Sequence, residues 1–232
     1  MQVLAFGHYG APMIAFPSGG GQFHDFEDNG MVAAVAPLLE AGRLKLYCPE
    51  SLDRESWLRE DIDPHWRAVR HRAYEDYIVE DLAPAIRADC RDPKLGIGLV
   101  GCSLGAYHAA TFALKHPQLF PDALCLSGRY DLERIMGRTS ASQEVYFNHP
   151  LAFVPNLSGE ALEHLRRHAH LALVCGRGAW EDKCLHDTER LAAALAAKGI
   201  SHELDLWGLE VEHHWFWWRQ QLAQHLGRAL GG

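Results

Sequence analysis

Several marks of membrane, secreted and nucleic-acid-binding proteins are missing from this sequence. No apolar run is long enough to span a bilayer, and the apolar start MQVLAFGHYGAPMIAF is interrupted by His8, Gly10 and Pro12. The first cationic side chain is Arg43, so that start lacks the positive flank of a secretory leader, and a cytoplasmic location is expected. Lys and Arg number 22 against 30 Asp and Glu, a formal charge of -8, which leaves no basic face for phosphate backbones and makes nucleic acid an unexpected partner. The six cysteines (Cys48, Cys90, Cys102, Cys125, Cys175, Cys184) form no C-x-x-C pair, which favours buried reduced thiols over a disulfide framework or a zinc cage. No linker, low-complexity tract or internal repeat divides the 232 residues, so a single domain over residues 1–232 is expected.

What is present is alternation. Short apolar runs at 3–6, 13–17, 44–48, 95–101, 123–128, 171–176 and 203–207 read as strands. Stretches at 28–41, 65–89, 104–116, 184–198 and 215–229, with apolar residues three and four apart, read as helices. Strands alternating with helices predict a mostly parallel sheet covered on both faces. The turn GHYGAP predicts an antiparallel hairpin from the first two strands. Residues 131–168 are too long and irregular for an ordinary connection, and predict an excursion over the sheet that lines a pocket, with Tyr146, Phe147 and Asn148 as candidate substrate contacts.

The stretch GLVGCSLGAYHAA carries the chemistry. Gly101, Ser103 and Gly105 fill G-x-S-x-G between a strand and a helix, the setting in which a serine is lifted onto a strained turn and its oxygen exposed. The helix that follows aims its free amides at developing negative charge. The bare pentapeptide is common by chance; its position at a strand-to-helix junction is what makes Ser103 a candidate nucleophile.

Such a serine needs an acid and a base, in the chain order serine, acid, histidine. After LALVCG comes RGAWEDK, which brings Glu181 and Asp182 to the carboxyl end of a strand, where catalytic loops gather. After ELDLW comes GLEVEHHWFWW, with His213 and His214 before the last helix. Fifteen histidines make any one of them weak evidence; the order of the three residue types is the stronger signal. An oxyanion site needs two amides, one from Leu104 and one from an early loop, for which FPSGGGQ offers Gly19, Gly20 and Gly21. No G-K-[ST] follows those glycines, so a phosphate cradle is disfavoured.

Three blocks together, AYEDYIVEDLAPAIR, GCSLGAYHAATFALKHPQLFPDALCLSGRYD and EHHWFWW, resemble the "Putative esterase" family of α/β hydrolases, which includes S-formylglutathione hydrolases, feruloyl esterases and mycolyltransferases. The resemblance implies an α/β-hydrolase fold without a large cap domain, Ser103 as nucleophile, His213 as base, and Leu104 and Gly20 as oxyanion amides. It implies neither metal nor organic cofactor. The sequence departs from relatives at PSGGG, where many have a His-Gly pair, which leaves the second amide open within residues 19–22. It departs again at His214, where Asp is common, which leaves the base open by one position. For the acid, distance from the following helix favours Asp182, with Glu181 as the alternative.

The expected activity is therefore hydrolysis of a small-molecule carboxylic ester or thioester through an acyl-enzyme, amide cleavage or acyl transfer being open to the same residues. Two other readings are weaker. A hydrolase-like binding protein without turnover would not need all three residue types in order, and a metal site at His164, His168 and His170 has no H-E-x-x-H frame around it.

Overall fold

The computed structural model describes residues 1–231. All seven apolar runs form strands: β1 Val3–Phe6, β2 Ala11–Phe16, β3 Leu44–Pro49, β4 Gly98–Cys102, β5 Asp122–Leu126, β6 His170–Cys175 and β7 Ser201–Leu206. They build one sheet in the order β1-β3-β2-β4-β5-β6-β7, parallel throughout except that β1 runs antiparallel to β3. The longer helices are α1 Pro64–Asp76, α2 Ala83–Asp89, α3 Leu104–Lys115, α4 Gly159–His168, α5 Asp182–Lys198 and α6 Trp215–Leu230. No helix among the described residues is long and apolar enough to cross a membrane.

The period of two along each strand divides the core. In β4, Leu99 faces one side with Phe112, Leu171 and Leu191, while Val100 and Cys102 face the other with Trp218 and Leu222. β5 and β6 repeat the pattern, with Ala123, Cys125, Leu171 and Leu173 on the first side and Leu124, Leu126 and Val174 on the second. Both faces of the central strands are thus buried, as a parallel sheet requires. All six cysteines are unbridged and five are buried. Burial pushes the Cys48 and Cys125 thiols up to about 12, so both stay protonated.

Three expectations need correction. β1 and β2 do not form a hairpin, because β3 lies between them: the turn after β1 packs on the start of β3, where Ala11 N donates to Arg43 O at 2.9 Å. The apolar β2, buried at Ile14, Ala15 and Phe16, takes neighbours on both edges, whereas β1 is buried too little to flank it and becomes the rim. The stretch 28–41 is split into short helical pieces at Gly30, held at φ 72, and again at Val35, just before Pro37. The stretch 65–89 is α1 and α2 joined by a wider π-turn at Tyr77–Leu82, next to Pro84, which has no N–H for the regular ladder.

His71 of α1 generates a pH dependence. It is fully buried, stacks 5.2 Å from His108 and 5.6 Å from Phe112, and neither ring nitrogen has a partner among the described residues. Burial, with smaller electrostatic contributions from the neighbouring His108 and Lys115, holds its pKa well below the ordinary imidazole value. The unfolded chain therefore binds a proton near pH 6.5 that the folded chain refuses. Stability is complete above that pH and falls as pH drops through it, by at most about 1.4 kcal/mol per pH unit from this group. We expect His71→Phe to flatten the fall in urea midpoint between pH 7.5 and 5; an unchanged slope would assign the acid sensitivity elsewhere.

Candidate active site

Ser103 stands between the end of β4 and the start of α3 at φ 56, ψ -116, a region that L-residues seldom occupy. Its neighbours dictate this. A Cβ at Gly101 would fall on the backbone of Gly105, and one at Gly105 on the carbonyl oxygens of Phe16 and Pro17, so strand and helix meet at a distance only two glycines allow. The turn is fixed from both sides: Ser103 N donates to Leu126 O at 2.9 Å, and Ser103 O accepts from Ala106 N at 3.2 Å and Arg129 N at 3.3 Å. As the first residue of α3, Leu104 has an amide with no intrahelical acceptor.

The histidine that faces Ser103 comes from the loop after β7. His213 Nε2 lies 3.0 Å from Ser103 Oγ, and His213 Nδ1 lies 3.1 Å from Glu181 Oε2. A carboxylate only accepts, so Nδ1 carries the proton and Nε2 is left to accept from the serine. His213 N donates to Ala179 O at 3.0 Å and Gly178 N to Val211 O at 2.8 Å, which ties the two loops together. Trp218 packs edge-on to the imidazole at 4.8 Å. The neighbouring His214 does other work: its Nδ1 accepts from Phe216 N at 3.1 Å and caps α6.

Of the two candidate acids, the carboxylate that meets His213 is Glu181, the expected alternative, and not Asp182. Trp180, at φ 68, turns the chain so that Glu181 points inward and is completely buried, while Asp182, the first residue of α5, is exposed. Glu181 Oε1 accepts from Ser127 Oγ at 2.5 Å, and Ser127 Oγ accepts from Trp218 Nε1 at 3.0 Å. Cys184, on the same helix, approaches His213 Nδ1 at 3.6 Å, and its thiol is pushed up by burial. Glu181, Cys184 and His213 are the one group among the described residues with three metal-ligating atoms within reach of one another, and their hydrogen bonds join them directly. His164 and His168 share a helix face, but His170 turns to Ser201 Oγ at 2.9 Å.

Over the serine runs the Gly-rich loop. Gly20 was the expected second oxyanion amide, but its N–H is already spent on Asp53 Oδ2 at 3.1 Å, while its carbonyl accepts from Arg54 Nε at 2.9 Å. Asp53 is fully buried and also meets His108 Nε2 at 2.8 Å, so one carboxylate braces the loop against α3. Gly21 closes a turn onto Ser18 O at 2.9 Å, away from the cavity. Gly19 is the loop glycine that faces the cavity; its amide has no acceptor among the described residues, and a Cβ added there would meet the Leu104 side chain at 3.5 Å.

The cavity has a volume of about 450 Å³, and Ser103, Gly19, Leu58, Arg129, Ile135 and Trp215 are among its walls. Of the excursion after β5, only Ile135 reaches it. Tyr146, Phe147 and Asn148 do not: Asn148 O accepts from Tyr107 OH at 2.8 Å and its side chain from Lys115 Nζ at 3.0 Å, clamping the excursion onto α3, and Phe147 borders a separate surface cleft. Another cleft of about 480 Å³ opens at the opposite end of the sheet, near Met13 and Gly98, and contains no serine or cysteine.

The model of the family described as "Putative esterase" matches residues 53–229. The chain belongs to this family. It is thus a carboxylic ester hydrolase, and its fold is that of the α/β hydrolases without a large cap. No curated protein sequence matches it. Among solved structures, a ferulic acid esterase is similar at 15% identity and TM-score 0.71, covering 97% of this chain and 86% of its own. An S-formylglutathione hydrolase from Agrobacterium tumefaciens is similar at 17% identity and TM-score 0.71, covering 97% and 85%. Mycobacterium tuberculosis MPT51 is similar at 14% identity and TM-score 0.71, covering 99% and 92%.

The residues that sequence reasoning missed are Ser127, Trp218, Asp53 and Arg129. None of these left a usable signal, but the choice between Glu181 and Asp182 did. The buried face of α5 carries Cys184, Thr188, Leu191 and Leu195, and one turn back that face reaches 181, not 182. From the bracing role of Asp53, we expect Asp53→Ala to lower the esterase's stability by about 2–4 kcal/mol in denaturant titration, since it strands Gly20 N and His108 together. A loss below about 0.5 kcal/mol would contradict that role.

Proposed function

We propose that the esterase hydrolyses small carboxylic esters or thioesters by way of an acyl-enzyme on Ser103, with His213 as base and Glu181 as its partner. The observation that carries this is the line of hydrogen bonds from Ser103 Oγ to His213 Nε2 at 3.0 Å and from His213 Nδ1 to buried Glu181 at 3.1 Å. Ser103 Oγ attacks the carbonyl carbon as its proton passes to Nε2, and the carbonyl π electrons move onto oxygen. The Leu104 and Gly19 amides receive that oxyanion, each such donor typically worth about 10²–10³ in rate. Collapse expels the alcohol or thiol, which takes the proton from Nε2. Water then repeats the sequence on the acyl-serine, giving the carboxylic acid and free Ser103.

Glu181 stabilises the imidazolium without itself being protonated, and Ser127, with Trp218 behind it, fixes the carboxylate through Oε1 so that Oε2 meets His213, with the Cys175 thiol also donating to it at 3.6 Å. The modest cavity, walled by Leu58, Ile135 and Trp215, supports short rather than polymeric acyl groups. Six unbridged cysteines support a reducing, cytoplasmic setting.

Glu181→Gln is expected to lower kcat for 4-nitrophenyl acetate by about 10³–10⁴ with the fold intact, because the amide cannot hold the same tautomer. Asp182→Asn is expected to stay within about twofold of the parent. The reverse ranking would return the role to Asp182.

A further inference from the structure

Arg129 is the anomaly of the cavity. It follows β5, lies half-buried in the wall beside Ser103 and His213, and its Nε is wholly buried with no acceptor among the described residues. Comparison with other arginines sharpens the point. Arg67, also buried, donates to the carbonyls of Ile62 and Trp57 at 3.2 and 3.3 Å. The carboxylates that follow Arg129 in the chain or bond to its neighbours and the site are committed elsewhere. Asp131 pairs with Arg190 at 2.8 Å, Asp187 accepts from the amides of Tyr130 and Asp131, and Glu181 is held by Ser127 and His213. In a chain of net charge -8, a guanidinium left without a counter-charge at the reaction centre is the opposite of what composition would supply.

Removing a cation partly from water without a partner costs free energy unless something else provides the partner. A guanidinium presents a planar fork of donors that matches a carboxylate with two parallel hydrogen bonds. The remaining walls, Leu58, Ile135 and Trp215, are apolar and suit the carbon chain between such a carboxylate and the scissile carbonyl. Resting on the assignment of Ser103 as nucleophile, we propose that Arg129 selects the substrate: the esterase acts on esters or thioesters that carry a free carboxylate, which pairs with this arginine while the carbonyl sits over Ser103.

The test compares matched esters. One pair places the charge on the acyl side (4-nitrophenyl hydrogen adipate against 4-nitrophenyl methyl adipate), the other on the leaving group (4-acetoxybenzoate against its methyl ester). The parent enzyme should prefer the anion in at least one pair by about 10–100-fold in kcat/KM, the range expected of a charge-assisted bidentate contact. The preference should lie mainly in KM, because the contact exists before the chemical step. Arg129→Met should bring the ratio to within about threefold of unity, and Arg129→Lys, which keeps the charge but loses the fork, should retain part of it. Arg177→Met, which removes an equal charge from an exposed site, should leave the ratio unchanged.

Turnover of the neutral esters with no anion preference overturns the proposal while leaving Ser103 catalysis standing. So does a preference that survives Arg129→Met, and so does an equal loss on both members of a pair, which would mean that the arginine acts on the shared transition state. Failure to cleave any of the four esters, with no acyl-serine formed, removes the catalytic assignment and this proposal with it.

Discussion

The site depends on one backbone constraint: a non-glycine residue held at φ 56 where the central strand β4 becomes α3. Such a conformation costs about 1–3 kcal/mol and persists only where its surroundings leave no alternative. Here β2 and β5 flank β4 on both edges, β5 takes the Ser103 amide, and the bodies of Gly101 and Gly105 touch backbone directly. The strain sets Ser103 Oγ at the carboxyl end of the sheet, and the same turn leaves the Leu104 amide without an intrahelical acceptor. The proposed nucleophile and oxyanion donor are therefore two products of one junction, held by main-chain contacts rather than by adjustable side chains.

Everything else is brought to that junction by parallel strands ending at the same edge. β2 delivers the glycine loop, β5 delivers Ser127 and Arg129, β6 delivers Glu181 and β7 delivers His213. Each loop is pinned by a different interaction: Asp53 on Gly20, Ser127 on Glu181, and paired main-chain bonds between residues 178–179 and 211–213. Glu181, Ser127, Trp218 and His213 satisfy one another, which gives the imidazole one tautomer and one orientation before a substrate arrives. Charge is matched in the same economical way, with Arg129 standing apart because its partner is expected from outside the chain.

The sequence was legible where its signals were local or periodic. Apolar runs located all seven strands, and G-x-S-x-G with its strand and helix located the serine. The histidine and the acid loop followed from chain order. What failed was information about the third dimension. Nothing in GHYGAP tells that a third strand will lie between the two it joins, since that order is set by which strand needs two apolar neighbours. Nothing in GGG tells which amide stays free, because the answer lies in Asp53, more than thirty residues away. Asn148 looked like a pocket residue because its segment is irregular, yet its contacts fasten that segment to α3. Glu181 against Asp182 is the instructive case: helical phase carried back one turn distinguishes them, while distance along the chain does not.

The most direct measurement is intact mass after exposure to a fluorophosphonate, with Ser103→Ala as control. A single adduct per chain, lost in the Ser103→Ala protein, is the expected result, since only a serine paired with a base reacts at such phosphorus centres. Folded protein that takes up no adduct, or an adduct that survives Ser103→Ala, would contradict a strained, activated serine at the end of β4.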